Sequence, residues 1–251
     1  MTVKADRRAR VAIFATHPPL PRGPHLLTRE QVADSQRTRL MAAFTELMAE
    51  RGYAAVRLAE LVTRAGVSKA TFYEHFADKE ECMLAACEHF FRTIIEAIAP
   101  FVAEDAPTLN AFLCNVITRY IEVIEGDLTA ARAFLVELDA AGPKARACRH
   151  RERQAFIALF SQRHEQYRAG DPSLAPLPMI SYEALVDASR ELVRDRLDSA
   201  AEPNLTELIP DLTLTFTAMF KGAAAAQDTE SKPVPGPAPS PHRRQSGADE
   251  R

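Results

Sequence analysis

Between Leu58 and Phe76 two runs with helical periodicity are separated only by Gly66-Val67-Ser68. Leu58, Leu61 and Val62 give a first short helix, ended by Gly66. Ser68 opens a second, because its hydroxyl can accept from an orphan N–H of the first turn. With Ser68 as the N-cap, Val67 and Phe72 take the spacing of a hydrophobic staple, which fixes the angle between helix and turn. Phe72 and Phe76 are four apart and share one face, which must be the buried one. A supporting amphipathic helix precedes the pair. Leu40, Phe44, Leu47 and Met48 follow helical spacing over about 34–51 and stop at Gly52. Two short helices joined by a three-residue turn with glycine, set on a third, make a helix-turn-helix.

The second helix of such a unit enters the DNA major groove with its N-terminal part foremost. Burying Phe72 and Phe76 turns Ala70, Thr71, Tyr73 and Glu74 outward, with Lys69 and His75 flanking them. Ala70 permits close approach, Thr71 and Tyr73 offer hydroxyls, and Lys69 supplies charge. Lys79 lies in the first turn of the next helix, where a phosphate could also meet backbone N–H groups. Charge is distributed to match. Residues 1–80 hold 13 Lys and Arg against 9 Asp and Glu, a net of +4, while residues 81–251 carry a net of −7. A polyanion would face the first part and not the second.

Beyond this unit the periodicity stays helical, with no convincing strand alternation. Asp78 caps a fourth helix, read as ending near Ala99 before Pro100. The last two long helices span about 181–200 and 205–221, and Pro210 either kinks the latter or falls in the first turn of a later-starting helix. The fold expected is all-α, about nine helices: a three-helix DNA-binding domain and a larger C-terminal helical ligand-binding and dimerisation domain. The expected bounds are a flexible arm over 1–30, the DNA-binding domain over 31–78, the larger domain over 79–225 and a disordered Pro-rich tail over 226–251. Pro21–Pro24 and Arg7, Arg8 and Arg10 in the arm are read as a solvated leader, with insertion into an A·T-rich minor groove the alternative.

The segments SQRTRLMAAFTELMAERGY (35–53) and RLAELVTRAGVSKATFYEHFADKEECMLA (57–85) strongly resemble the TetR family of bacterial transcriptional regulators. The resemblance rests on Gly52-Tyr53, Ala65–Ser68, Thr71–Phe76 and Lys79. The preceding LPRGPHLLTREQVADSQR is similar to the leader of actinobacterial members. The resemblance implies DNA-facing positions at Lys69, Ala70, Thr71, Tyr73 and His75, a phosphate contact at Lys79, and core positions at Tyr53, Leu61, Phe72 and Phe76. Arg57 stands where the family usually has Thr; it cannot cap the helix but can reach a phosphate. The DNA-binding set is therefore Arg57, Ser68, Lys69, Ala70, Thr71, Tyr73, His75 and Lys79. The resemblance also implies a homodimer through the last two long helices, presenting two recognition helices to a palindromic operator, and a repressor that responds to a small apolar effector.

Among the residues that could line an effector cavity are His89, Phe90, Tyr120, Phe134, His164 and Tyr167, each also readable as core or surface. The basic run KARACRHRER (144–153) is read as a solvated helix face. Cys82, Cys87, Cys114 and Cys148 show no CxxC spacing and read as ordinary thiols, with no metal site or cofactor expected. No catalytic motif appears, so no enzymatic activity is expected. No apolar run is long enough to span a bilayer, and the chain reads as cytoplasmic. The alternative function is an all-α ligand carrier or enzyme whose helix-turn-helix is vestigial.

Overall fold

Thr28 starts the first helix ahead of its apolar pattern. Its hydroxyl accepts from the Gln31 N–H at 3.2 Å, and the Gln31 side chain accepts from the Thr28 N–H at 2.9 Å. This capping box sets α1 at Arg29–Arg51 rather than from about residue 34. The computed structural model describes residues 13–14, 28–103, 106–171 and 173–230, with side chains to 221. Among these residues there are nine α-helices and no strand. After α1 come α2 (Leu58–Ala65), α3 (Lys69–His75), α4 (Lys79–Ala103), α5 (Leu109–Gly126), α6 (Leu128–Ala131), α7 (Pro143–Gly170), α8 (Met179–Ser199) and α9 (Leu208–Glu230). The all-α expectation is met.

The first three helices close over one small core. Leu40, Phe44 and Leu47 of α1, Leu61 of α2 and Phe72 of α3 are buried, as is Phe76 just beyond α3. Gly66 ends α2 in the left-handed region, at φ 66° and ψ 37°. A side chain there would be strained, and its Cβ would lie 3.4 Å from Arg39 Nη1.

Helix α4 leaves this unit and continues into the second body of helices, packing against α1, α5 and α7. Asp78 Oδ1 accepts from the Glu81 N–H at 2.8 Å at its start. The helix does not stop before Pro100; it runs on to Ala103. Proline there removes one hydrogen bond in the last turn, and Glu96, whose carbonyl loses it, is exposed to water. Pro210 is the third residue of α9, where its missing N–H costs little, so it does not kink the helix.

Between α6 and α7 the chain forms a π-helical segment (Arg132–Val136) and a 3-10 turn (Glu137–Ala141). No residue pattern announces the π segment. Two cysteines without a spacing motif meet here in space. Cys87 of α4 and Cys148 of α7 are buried thiols with their sulfurs 3.0 Å apart.

Two residues of the leader are packed rather than solvated. Ile13 and Phe14 are buried, with the Phe14 ring 5.1 Å from His89 of α4 and 6.3 Å from Phe134 of the π segment. His89 Nε2 lies 3.0 Å from the Ile13 carbonyl, and the Phe14 N–H reaches Asp127 Oδ2 at 3.4 Å. The apolar cluster Val11–Ala15 outweighs its polar flanks at these two positions. The rest of the leader, including Arg7, Arg8, Arg10 and Pro21–Pro24, lies outside the described residues, as does the tail from 231. Helix α9 itself extends to Glu230, past the boundary expected at 225.

Candidate functional site

Ser68 builds the front of α3. Its side chain accepts from the Thr71 N–H at 3.0 Å, and the two hydroxyl oxygens are 3.0 Å apart. Replacing Ser68 with Ala should cost about 1 kcal/mol of stability, measurable by urea denaturation, while Ser68→Thr should recover most of it. Arg57 occupies the equivalent position before α2 and makes no capping hydrogen bond. The cap is absent there, as its side chain requires.

Exposure separates the proposed DNA-facing set. Arg57, Ser68, Lys69, Ala70 and Tyr73 are exposed, Glu74 with them, and Thr71 is half-buried. Tyr73 leaves 59% of its surface to solvent although it adjoins the fully buried Phe72. Most other cations around α1 and α2 are occupied. Arg64 pairs with Glu50 at 2.5 Å, Arg51 pairs with Glu60 at 2.6 Å, and Arg37 stacks 4.5 Å above the Phe76 ring. Arg57 and Lys69 make no ion pair or side-chain hydrogen bond to a described residue. Lys69 also sits at the first position of α3, where the helix dipole disfavours a positive charge. Internal stability therefore does not explain it.

His75 and Lys79 differ from that edge. His75 Nε2 lies 3.2 Å from Gln36 Oε1 of α1, and its carbonyl accepts from Arg37 Nη1 at 3.3 Å. Burial first, then the Arg37 charge, holds its pKa below the ordinary histidine value. It ties α3 to α1 as a neutral ring. The Lys79 ammonium donates to the carbonyls of Tyr53 at 3.2 Å and Val56 at 3.1 Å, and lies 4.5 Å from the Tyr53 ring centroid. An ammonium has three N–H donors, so one stays available to a phosphate. The fold and this edge define a helix-turn-helix protein with a small reading unit mounted on a larger helical body.

Residues 40–86 match the family model described as bacterial regulatory proteins, tetR family. These residues therefore form a TetR-type N-terminal DNA-binding domain. Solved structures share its fold. A transcriptional regulator FadR from Bacillus subtilis, in complex with stearoyl-CoA, aligns with a TM-score of 0.64 at 18% identity, covering 73% of this chain and 97% of that one. FadR from Bacillus halodurans aligns with a TM-score of 0.67 at 15% identity, covering 74% and 95%. A TetR-like regulator from Rhodococcus sp. RHA1 aligns with a TM-score of 0.55 at 17% identity, covering 82% and 100%.

The second body holds a cavity of about 420 Å³ walled by α4, α5, α7, α8, α9 and the π segment. Phe91, Val116, Ile117, Leu135, Phe156, Phe160, Val186, Leu212 and Phe216 form its apolar surface, and Tyr120, Arg149, His150, Arg153, Asp187, Ser189 and Arg190 its polar part. Of the six residues named from sequence, only Tyr120 lines it. Phe90 and Phe134 pack on each other 5.2 Å apart, and His89 meets the leader. His164 lies against Phe220 at 4.5 Å, and Tyr167 against Phe112 at 5.9 Å. The basic run read as a solvated face instead supplies Arg149, His150 and Arg153 to the cavity. Their spacing carried the cue, because Arg149, Arg153, Phe156 and Phe160 recur at i, i+4, i+7 and i+11, on one face of α7.

Proposed function

We propose that this regulator acts as a ligand-responsive homodimer, most simply a repressor, that reads a palindromic operator through the N-terminal edge of α3. The observation that carries the reading is the outward Lys69-Ala70-Tyr73 edge at the front of the second helix of the motif, beside Arg57, which pairs with no described residue. In it, Lys69, Thr71 and Tyr73 reach base edges or phosphates, Ala70 allows approach, and Arg57, Ser68 and Lys79 meet the backbone. His75 supports this edge from behind.

Dimerisation is assigned to α8 and α9. Leu192 of α8 is 45% exposed and Leu214 of α9 69%, a poor arrangement for a lone protomer. Such a dimer would set two copies of α3 on successive turns of the groove, roughly 34 Å apart. Introducing Leu192→Glu and Leu214→Glu together should turn the dimer into a monomer in light scattering, and operator affinity should drop with it. A dimer that persists contradicts this assignment.

The effector is placed in the cavity. Phe91 lies on its wall and belongs to α4, the helix that also follows α3. Effector binding can therefore bias α4 between two settings, provided it binds the DNA-incompetent setting more tightly. The stearoyl-CoA held by the FadR neighbour supports an effector with a long apolar portion. No helix among the described residues is long and apolar enough to cross a membrane. We read the protein as a cytoplasmic, non-enzymatic regulator. Footprinting with the purified chain on the DNA flanking its own coding region tests the reading: a protected site with twofold symmetry is expected, and an asymmetric site occupied by one protomer contradicts it.

A further inference from the structure

We propose that the cavity is built for an amphipathic anion: an apolar body lies among the aromatic and aliphatic side chains, and a carboxylate or phosphate head bridges Arg149 and Arg190. This rests on the effector reading above and gives the ligand its chemical class, which differs from the purely apolar effector expected from sequence.

The charges on the wall do not cancel among themselves. Arg153 is satisfied, with Nε and Nη2 each 2.7 Å from the carboxylate of Asp187. That leaves Arg149 and Arg190. Both turn to one carboxylate, Asp139, which does not line the cavity. Arg149 is hydrogen-bonded to Asp139 Oδ1, whereas Arg190 Nη1 stays 4.0 Å from Oδ2. Nη1 of Arg190 is buried and has no hydrogen-bond partner among the described residues. Two further acids bear on Arg190: Asp187, whose carboxylate is already held by Arg153, and Glu191 at 3.6 Å, which is exposed and also serves Arg194 at 3.1 Å. A buried guanidinium N–H without an acceptor is costly, and an anionic head on the cavity side removes the cost. The planar fork of arginine suits a carboxylate or a phosphate, and two guanidiniums sharing one acid leave room for a second anion.

Two neighbours strengthen the case. Burial first, then the adjacent Arg190 charge, holds the pKa of Arg149 below its usual value, and an anion between the two guanidiniums would relieve that repulsion. Tyr120 lines the same cavity, and its hydroxyl makes no hydrogen bond to a described residue. Burial pushes its pKa up to about 12, so it stays protonated as a further donor to the head.

The experiment uses the full-length protein and ligands with one tail and four heads: dodecanoate, dodecyl phosphate, dodecanol and dodecyltrimethylammonium, each below its micelle concentration. Octyl and hexadecyl versions cover tail length. Calorimetry and thermal shift read binding. At least one tail length should give an anion that binds about ten- to a hundredfold tighter than its matched alcohol, with the cation weakest. Dodecanoate against dodecyl phosphate then decides which head the site takes. Arg190→Gln should erase the preference for anion over alcohol while leaving alcohol binding within about twofold. Equal binding of acid and alcohol in the wild type, or binding of no member of the series, overturns the proposal, and this comparison stands even if the variant fails to fold. The two readings fail separately. If the anions bind and operator affinity does not change, the site stands and the ligand-responsive reading falls. If an uncharged ligand releases the operator, the reverse holds.

Discussion

Phe72→Ala should lower the free energy of unfolding by about 3–5 kcal/mol and remove DNA binding by melting the unit that carries it. Phe72 is fully buried, with its ring 5.8 Å from that of Phe76. Helix α3 is only seven residues long, too short to hold itself in water. Its shape depends on the Ser68 cap and on two aromatic side chains set into the core formed with α1 and α2. Truncating the first of them leaves a cavity where the three helices meet. Urea denaturation followed by circular dichroism measures the loss. A change below about 1 kcal/mol, in the range of an ordinary surface substitution, would mean that α3 is held by something other than this core.

The next residue along the chain should behave in the opposite way. Tyr73→Ala should leave stability within about 0.5 kcal/mol, as for surface substitutions away from special features, yet abolish sequence-specific operator binding. The ring lies largely in solvent, meets the fold only edge-on at Phe72 with centroids 5.5 Å apart, and makes no hydrogen bond to a described residue, so the fold needs little from it. In the complex its hydroxyl and ring face would replace water against the DNA backbone or a base. Tyr73→Phe should retain part of the affinity if the ring contributes and none if only the hydroxyl does. Adjacent residues with opposite phenotypes, one lost to unfolding and one lost to binding alone, are the signature of a helix with one face in the core and one in the groove. A Tyr73→Ala protein that still binds its operator with wild-type affinity would remove that residue from the reading edge.

The DNA-reading unit was legible in the sequence because its constraints are local. Ser68 caps three residues ahead, Gly66 needs a left-handed conformation, and Phe72 and Phe76 repeat at helical spacing, so the buried face of α3 followed from the chain alone. His75 and Lys79 were less accessible. Their partners, Gln36 and the carbonyls of Tyr53 and Val56, come from elements that only the tertiary fold brings near. The cavity lay further out of reach for the same reason. Arg149 and Arg190 are 41 positions apart in the chain and come near one another only through the packing of α7 on α8, and a run of arginines looks solvated until the helix facing it is known. The packed Ile13 and Phe14 were hidden by a polar, proline-rich context in which only a five-residue apolar cluster hinted at burial. Pro100 does not stop α4, because a proline ends a helix only where the lost hydrogen bond is costly, and near the exposed end of α4 it is not.

The front of α3 is the proposed specific DNA site. The most direct measurement is fluorescence anisotropy of the footprinted duplex against a scrambled duplex, over a series of salt concentrations, with the wild type, Lys69→Ala and Tyr73→Ala. The wild type should prefer the footprinted duplex by about a thousandfold or more, with affinity falling steeply as salt rises. Lys69→Ala should weaken binding to both duplexes and flatten the salt slope by about one unit. Tyr73→Ala should bring the specific duplex down to the level of the scrambled one. Equal wild-type affinity for both duplexes at every salt concentration, unchanged by either substitution, would contradict the account.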